Sequence, residues 1–268
     1  MIKRAEKKDY ERVVEYLDYE GSINTTLIAH IEKYGFDKDF QDVWLYFSGG
    51  GDTLAVLMRH FNSLYIYSRG FLYDLEELAS FASFIGSDII SGKLDLLSEI
   101  SLDLSGMVLE PSCHMIHKDK SKLVECRDVV RADLDDCREL AELIYSIPEF
   151  ARFYSSEKEI ERGIRRRIEL GICRYFVLKR DGKIVSQAYT TIESSKYATI
   201  GGVVTRREYR NQGLASLVVS CICQDLYNSN KIPNLFFTNE EAGRVYEKLG
   251  FVYAGDYGML LDHKYKIY

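Results

Sequence analysis

The chain of 268 residues has 3 prolines and 1 tryptophan, and its 19 glycines follow no period. That scarcity excludes collagen-like and low-complexity classes. No run of about 18 consecutive apolar residues is present, so no membrane span is expected. The first residues, Met1-Ile2-Lys3-Arg4-Ala5-Glu6-Lys7-Lys8-Asp9, are charged and lack the apolar stretch of an export signal. A cytoplasmic location is therefore expected. Positive charge is also in deficit: the net charge is −6, which argues against a nucleic-acid binder. There is no Gly-Lys-Ser/Thr loop for nucleotide binding and no C-x-x-C pair for zinc or redox work. The 6 cysteines (Cys113, Cys126, Cys137, Cys173, Cys221 and Cys223) are expected to be reduced, and no metal is expected.

What is present is ordinary globular material, 46% apolar and 28% charged, in a length that suits two domains of roughly 100–200 residues. Charge divides the chain. Residues 1–120 carry a net −8 and residues 121–268 a net +2, so an anion would sooner bind the second half. Each half shows the same order of elements: helices, a three-strand meander and a further helix. In the first, helical spacing over 5–20 and 25–35 precedes strands at 43–48, 53–58 and 63–68 and a helix over 75–85. Gly49-Gly50-Gly51-Asp52 reads as a hairpin turn, since no lysine or helix start follows it. A lysine-rich linker near 117–123 comes next. In the second half, Asp133 is a candidate cap for a helix through Ile144. A charged helix covers 156–170, and Asp181-Gly182 joins two strands. Further strands are expected at 198–205, 234–238 and 251–261, with helices at 213–227 and 240–249.

Chemistry concentrates in Val203-Val204-Thr205-Arg206-Arg207-Glu208-Tyr209-Arg210-Asn211-Gln212-Gly213-Leu214-Ala215-Ser216. A strand ends, a basic turn follows, and a helix opens at a glycine. The first N–H groups of a helix have no intrahelical partner and carry the positive end of its dipole. Gly213 and Ala215 lack bulk, and Arg210 offers a bidentate fork. The alternative is a capped surface helix behind a charged turn.

Arg210-Asn211-Gln212-Gly213-Leu214-Ala215 resembles the R/Q-x-x-G-x-G/A signature of the GNAT N-acetyltransferase superfamily. Asn239-Glu240-Glu241-Ala242-Gly243-Arg244-Val245-Tyr246-Glu247-Lys248-Leu249-Gly250-Phe251 is similar to that family's second hallmark. The resemblance covers roughly 123–268. The first half resembles only the element order, as in glycine N-acyltransferase-like proteins with two such modules. The resemblance implies an α+β fold of two tandem modules, each a mixed, mostly antiparallel sheet flanked by helices. Residues 1–120 would form a degenerate module and 123–268 an acyltransferase module. It implies acetyl-coenzyme A as co-substrate, with its pyrophosphate on Arg210, Asn211, Gln212, Gly213, Leu214, Ala215 and Ser216. The pantetheine arm would lie along Val203, Val204 and Thr205, and Asn239 would cap the last helix and touch the arm. Tyr246 would donate a proton to the departing thiolate. The acceptor is a small-molecule or peptide amine, and the competing reading is a coenzyme A sensor without catalysis.

Other constellations carry less. The strand at 198–204 has no acid, which leaves Glu193 on the preceding strand as a weak candidate base. Cys113-His114-x-x-His117 stands alone as a metal fragment. Arg162, Arg165, Arg166 and Arg167 read as a solvated helix face with Glu157, Glu159 and Glu161 as partners. Cys221 and Cys223 fall on a helix face expected in the core.

Overall fold

The computed structural model describes residues 1–70 and 74–265. Among the described residues the chain forms two compact units: the first comprises Met1–His114 and residues 254–265, the second Met115–Tyr253.

In the first unit, β1 (Ile2–Arg4) precedes α1 (Tyr10–Asp18), α2 (Thr25–Tyr34) and the short β2 (Asp37–Lys38). The meander β3 (Gln41–Phe47), β4 (Thr53–His60) and β5 (Ser63–Ser68) follows, then α3 (Leu75–Ile85), β6 (Ile89–Lys93), α4 (Leu94–Ile100) and β7, which begins at Met107 and ends at His117. The strands order as β1-β3-β4-β5-β6. All pair antiparallel except β5 and β6, which run parallel from Ser63↔Ile89 to Ile66↔Gly92. Alternation explains the packing. Ala55 and Leu57 of β4, with Leu64 and Ile66 of β5, join Leu78, Ala82, Leu96 and Leu97 of the helices in one core. The triple glycine is the expected β3–β4 turn, where the Ser48 hydroxyl accepts the N–H groups of Gly50 and Asp52. The α3 helix is capped by its own chain: Asp74 Oδ1 accepts the N–H of Glu77 at 3.1 Å.

The second unit contains β8 (Val129–Arg131), α5 (Cys137–Tyr145), a one-turn α6 (Pro148–Ala151), α7 (Glu157–Glu169), β9 (Tyr175–Arg180), β10 (Lys183–Glu193), β11 (Tyr197–Thr205), α8 (Leu214–Asn228), β12 (Ile232–Phe237) and α9 (Glu240–Lys248). The last strand, β13 (Phe251–Asp262), begins here. From Ala254 its residues belong to the first unit, where Tyr257 to Leu261 pair antiparallel with β6. The sheet orders as β12-β11-β10-β9-β8, antiparallel except for the parallel β11–β12 pair. One core lies between the sheet and α8 and α9, and the other between the sheet and α5 and α7. Asp181 and Gly182 both take positive φ, 49° and 78°, as the β9–β10 hairpin requires.

Two expectations are corrected. Helix α5 starts at Cys137 behind Asp136, not at Asp133. The Asp136 carboxylate accepts the N–H of Asp133 and pairs with Lys179 at 2.6 Å, while Asp133 folds back to accept the N–H of Asp135. The cysteines are not all free: Cys126 and Cys221 form a disulfide across 95 residues. The segment carrying Cys126 is laid along α8, because Ser220 Oγ accepts the N–H of Val124 and Gln224 donates to its carbonyl. That brings the two Cα atoms to 5.4 Å. Cys223 stays a free, buried thiol in the core as expected.

Among the described residues no helix is long and apolar enough to cross a membrane, and no cluster of three or more His, Cys, Asp or Glu could hold a metal. Both ring nitrogens of His117 are engaged, Nδ1 with the Tyr227 hydroxyl at 2.6 Å and Nε2 with the Leu249 carbonyl at 2.9 Å.

Candidate functional site

The site is built where β11 leaves β12. The two strands pair from Tyr197↔Ile232 to Ile200↔Leu235, and the pairing stops there. Asn234 secures the paired part: its side chain accepts from Thr199 Oγ1 at 3.0 Å and donates to the Ala198 carbonyl at 3.2 Å. On the other edge of β11, Tyr189 of β10 opposes Gly201 and Gln187 opposes Val204. Gly202 and Val203 therefore face the single residue Ala188, a β-bulge that bends the strand. Gly202 has φ +55°, and a Cβ there would lie 1.8 Å from Cε1 of the Tyr189 ring. Only glycine fits, since the ring occupies the side-chain position. From Gly201 to Thr205 the outer edge of β11 has no strand partner among the described residues.

The chain then turns through Arg207–Tyr209 into α8. Asn211 and Gly213 take left-handed φ, 61° and 75°. Gly213 is the N-cap and supplies no side-chain acceptor. The first helical bond is Leu217 N–H to the Gly213 carbonyl. Among the described residues, the N–H groups from Asn211 to Ser216 have no acceptor. Asn211, Gln212 and Gly213 are exposed, Ala215 and Ser216 half-buried, and Leu214 anchors the turn in the core. Arg206 is tied to Glu142 at 3.1 Å and to the Ile184 carbonyl. Arg210 is exposed and braced by a bond from its Nε to the Thr205 carbonyl at 3.2 Å, with no acidic partner for its terminal nitrogens among the described residues. The result is a cradle of unpaired N–H groups beside an uncommitted guanidinium, which suits a pyrophosphate.

The expected residues of β11 split between the two faces. Val203 packs with the α8–α9 core and Val204 with the α5–α7 core, while Thr205 Oγ1 lies 2.8 Å from the Ser186 hydroxyl. Val203, Leu214 and Tyr246 meet in one cluster. Asn239 caps α9, its Oδ1 accepting the N–H of Glu241 at 2.8 Å. Tyr246 is buried between Phe237 and Phe251, with ring centroids at 5.9 and 5.8 Å. Its hydroxyl has no hydrogen-bond partner among the described residues, and burial pushes its pKa above the ordinary phenol range. Such a phenol stays protonated and holds an unused donor.

Glu193 is not available as a base. Arg174 binds both its oxygens, Nε and Nη2 each at 2.9 Å, and Thr190 donates to it as well. Arg167 departs from the solvated face expected of it. It is half-buried and lies beside Tyr175, Cys173 and Tyr189. The signal was present in the sequence: Ile160, Ile164, Arg167 and Ile168 fall on one stripe of α7, so Arg167 interrupts an apolar face. Arg165 does behave as expected, reaching Glu161 at 3.6 Å.

Residues 171–260 match the family model described as GNAT acetyltransferase. No curated protein matches the chain. Solved structures similar to it include an acetyltransferase of the GNAT family from Colwellia psychrerythraea, 15% identical with TM-score 0.58, covering 98% of this chain and 99% of that one. A GCN5-related N-acetyltransferase from Sphaerobacter thermophilus is 15% identical with TM-score 0.61, covering 97% and 94%. A tandem GNAT protein from the clavulanic acid biosynthesis pathway is 13% identical with TM-score 0.55, covering 97% of each chain. The chain therefore has the tandem GNAT fold, and the match to the GNAT acetyltransferase model falls on 171–260, mostly within its second unit.

Proposed function

We propose that the second unit binds acetyl-coenzyme A, or another acyl-coenzyme A, and transfers the acyl group to an amine by direct attack in a ternary complex. The observation that carries this is the conjunction of an unpaired β11 edge with a helix start whose N–H groups are unpaired. One ligand with a peptide-like arm and a polyanionic end satisfies both, the arm pairing with the strand edge as an added strand. When bound, the co-substrate supplies the thioester and a thiolate leaving group. The protein's share is to bind and orient. Arg210 and the N–H groups of Asn211 to Ser216 hold the pyrophosphate. The backbone of Val203 to Thr205 aligns the arm, and Asn239 fixes the start of α9 so that Tyr246 is held in place. As the amine nitrogen forms its bond to the acyl carbon, the C–S bond breaks, and the proton shed by nitrogen ends on sulfur.

A phenol near pKa ~10 and a thiol near ~8.5 make full proton transfer uphill by about 2 kcal/mol, and burial of Tyr246 raises that further. The role assigned to Tyr246 is therefore a hydrogen bond to the developing thiolate. No carboxylate on β11 serves as base, so the acceptor is an amine that deprotonates readily, such as an α-amino group near ~8. The first unit is read as a degenerate copy, because Asp74 already accepts one N–H at its helix start and places a carboxylate there. On this reading the acceptor is a small-molecule or peptide amine.

Calorimetry with acetyl-coenzyme A is the first test. Binding that the Arg210→Ala, Gly213→Glu double variant abolishes is the expected result, and a wild-type protein that takes up no coenzyme refutes the proposal. A non-catalytic coenzyme A sensor is the second reading, favoured by the engagement of Glu193 with Arg174. Release of free thiol across a panel of amines separates the two, since a sensor binds without turnover.

A further inference from the structure

The proposed coenzyme arm has a direction, and that direction locates its reacting end. The phosphate turn follows β11, so an arm laid along Thr205, Val204 and Val203 runs back toward Gly202. There β11 and β12 have parted, since their pairing stops at Ile200↔Leu235. β12 continues beyond that pair through Phe236 and Phe237. Counted on in the parallel register, Phe237 stands level with Gly202. Leu235 lies in the α8–α9 core, and Phe237, on the same side of the strand by alternation, packs against that core. At this level one strand has no side chain and the other has a phenyl ring.

Helix α9 fixes the ring. A Cβ on Gly243 would lie 2.6 Å from Cε2 and 2.9 Å from Cζ of Phe237, well inside the roughly 3.5–4.0 Å at which carbon atoms pack. The ring therefore rests on bare helix backbone. A glycine inside a helix is unfavourable, and at this buried position the ring accounts for it. Tyr246, one turn on, shares that side of α9. Its ring meets Phe237 at an angle of 64°, with centroids 5.9 Å apart. Phe237 is nonetheless only half-buried. Gly243 and Tyr246 pack one side of it, and the half-buried Val203 and Leu217 pack against the same core.

We propose that the uncovered side of the Phe237 ring is the stop against which the donor's acyl chain ends, and that Phe237, backed by Gly243, decides which acyl thioester the protein accepts. The inference deepens the acyltransferase reading and rests on it. With the Tyr246 hydroxyl on the sulfur, the acyl carbon, one bond away, falls beside the ring that packs on Tyr246. An acetyl or propanoyl group fits short of the ring. A butanoyl or longer chain needs the space the ring fills. Gly243 is the counterpart of the stop: it lets the ring lie back on α9, and any side chain there would push the ring toward the parted strands. The reaction is unchanged: the C–N bond forms, the C–S bond breaks, and the proton shed by nitrogen ends on sulfur.

Calorimetry on the full chain with free coenzyme A and its acetyl, butanoyl and hexanoyl thioesters tests this without an acceptor. The proteins are wild type, Phe237→Ala, Phe237→Leu and Gly243→Ala, each checked for folding by its melting transition. Wild type should bind the acetyl thioester at least as tightly as free coenzyme A and the hexanoyl thioester at least about 10-fold more weakly. In Phe237→Ala the order should reverse, with a gain of about 4-fold for each methylene that finds room. Phe237→Leu should fall between the two, and it decides the matter if the alanine variant does not fold. Gly243→Ala should weaken the acetyl thioester several-fold and leave free coenzyme A unchanged. The same chain-length order in wild type and both Phe237 variants overturns the proposal and leaves acyl transfer standing. So does a loss shared equally by all ligands, which marks a structural role. A wild type that binds none of them refutes the coenzyme reading, and this proposal with it.

Discussion

Gly202→Ala probes the bulge that bends the unpaired part of β11. The added Cβ meets two penalties. At φ +55° an L-residue sits in the left-handed region, at about 1–2 kcal/mol. The methyl would also overlap the Tyr189 ring, with Cε1 at 1.8 Å and Cδ1 at 2.6 Å. The ring cannot retreat freely, because it stacks on Tyr175. Overpacking of this kind costs about 1–3 kcal/mol, so the sum is about 2–5 kcal/mol. At roughly 2–4 °C per kcal/mol the melting temperature should fall by roughly 4–20 °C. A double-mutant cycle with Tyr189→Ala isolates the cause. In the Tyr189→Ala background only the backbone strain remains, so Gly202→Ala should cost about 1–2 kcal/mol there. The coupling between the two sites is then about 1–3 kcal/mol. Chemical denaturation of the four proteins measures it. Zero coupling, or a Gly202→Ala protein as stable as wild type, would show that the ring does not occupy the glycine's side-chain position.

Four further outcomes are expected. Tyr246→Phe should lower kcat about 10- to 100-fold with acetyl-coenzyme A affinity unchanged, and an unaltered kcat removes the thiolate role. Arg210→Ala alone should weaken acetyl-coenzyme A binding about 10-fold, more at low salt than at high, because it deletes one exposed charge; a salt-independent effect contradicts an ionic role. His30, stacked on His60 at 3.8 Å and pushed down to about 3 by burial, by His60 and by Lys33, stays neutral in the fold. Because its folded value lies below the unfolded ~6.5, the unfolded chain takes the proton first as pH falls. Stability is therefore present above about pH 6.5 and lost below it, about 2 kcal/mol by pH 5 from His30 alone. A denaturation midpoint unchanged between pH 7.5 and 5, in wild type and His30→Gln alike, contradicts the buried neutral stack. Reduction of Cys126–Cys221 opens a loop of 95 residues, worth about 4–5 kcal/mol in the chain-entropy account. Intact mass and melting with and without reductant measure it, and two free thiols in the unreduced protein negate the bridge.

The elements legible from sequence are those whose signal is local. The Asp181-Gly182 hairpin, the α2 stop at Gly35 with φ 74°, and the glycine that opens α8 each need one conformation that few residues adopt. The motifs of Arg210–Ala215 and Asn239–Phe251 locate the turn and α9 through the family resemblance. What escaped notice depends on partners far along the chain. The contact of Cys126 with α8 is made through Ser220 and Gln224, about 100 residues away. Helix α5 begins behind Asp136, whose carboxylate pairs with the distant Lys179, while Asp133 accepts within the turn before it. Glu193 reads as free in the sequence because its captor Arg174 stands in the turn before β9, away from it along the chain. At Arg167 composition and spacing disagree: a run of arginines suggests a wet face, whereas the spacing of Ile160, Ile164 and Ile168 puts Arg167 on the dry one.

The two units show how one local choice separates an open helix start, the proposed ligand site, from one that its own chain caps. Each has a parallel strand pair, β5–β6 or β11–β12, whose register stops before the first strand ends. Each then sends the chain into a helix. In the second unit that helix opens on Gly213, with no side-chain cap and no acid in its first turn. In the first it opens on Asp74, whose carboxylate accepts the Glu77 N–H, with Glu76 and Glu77 in the first turn. A carboxylate and a phosphate compete for the same N–H groups and the same end of the dipole. The first helix therefore has a carboxylate of its own at the place an anion would take, and two further acids in its first turn repel any anion that approaches. At the parted strands the first unit is again self-satisfied: Glu20 accepts the Tyr67 hydroxyl at 2.8 Å and pairs with Lys93 at 3.1 Å. No comparable internal acid reaches Arg210 among the described residues. What distinguishes the units is thus not the framework of strands and helices but where each finds its negative charge: the first from its own chain, the second, on the proposed reading, from the molecules it binds.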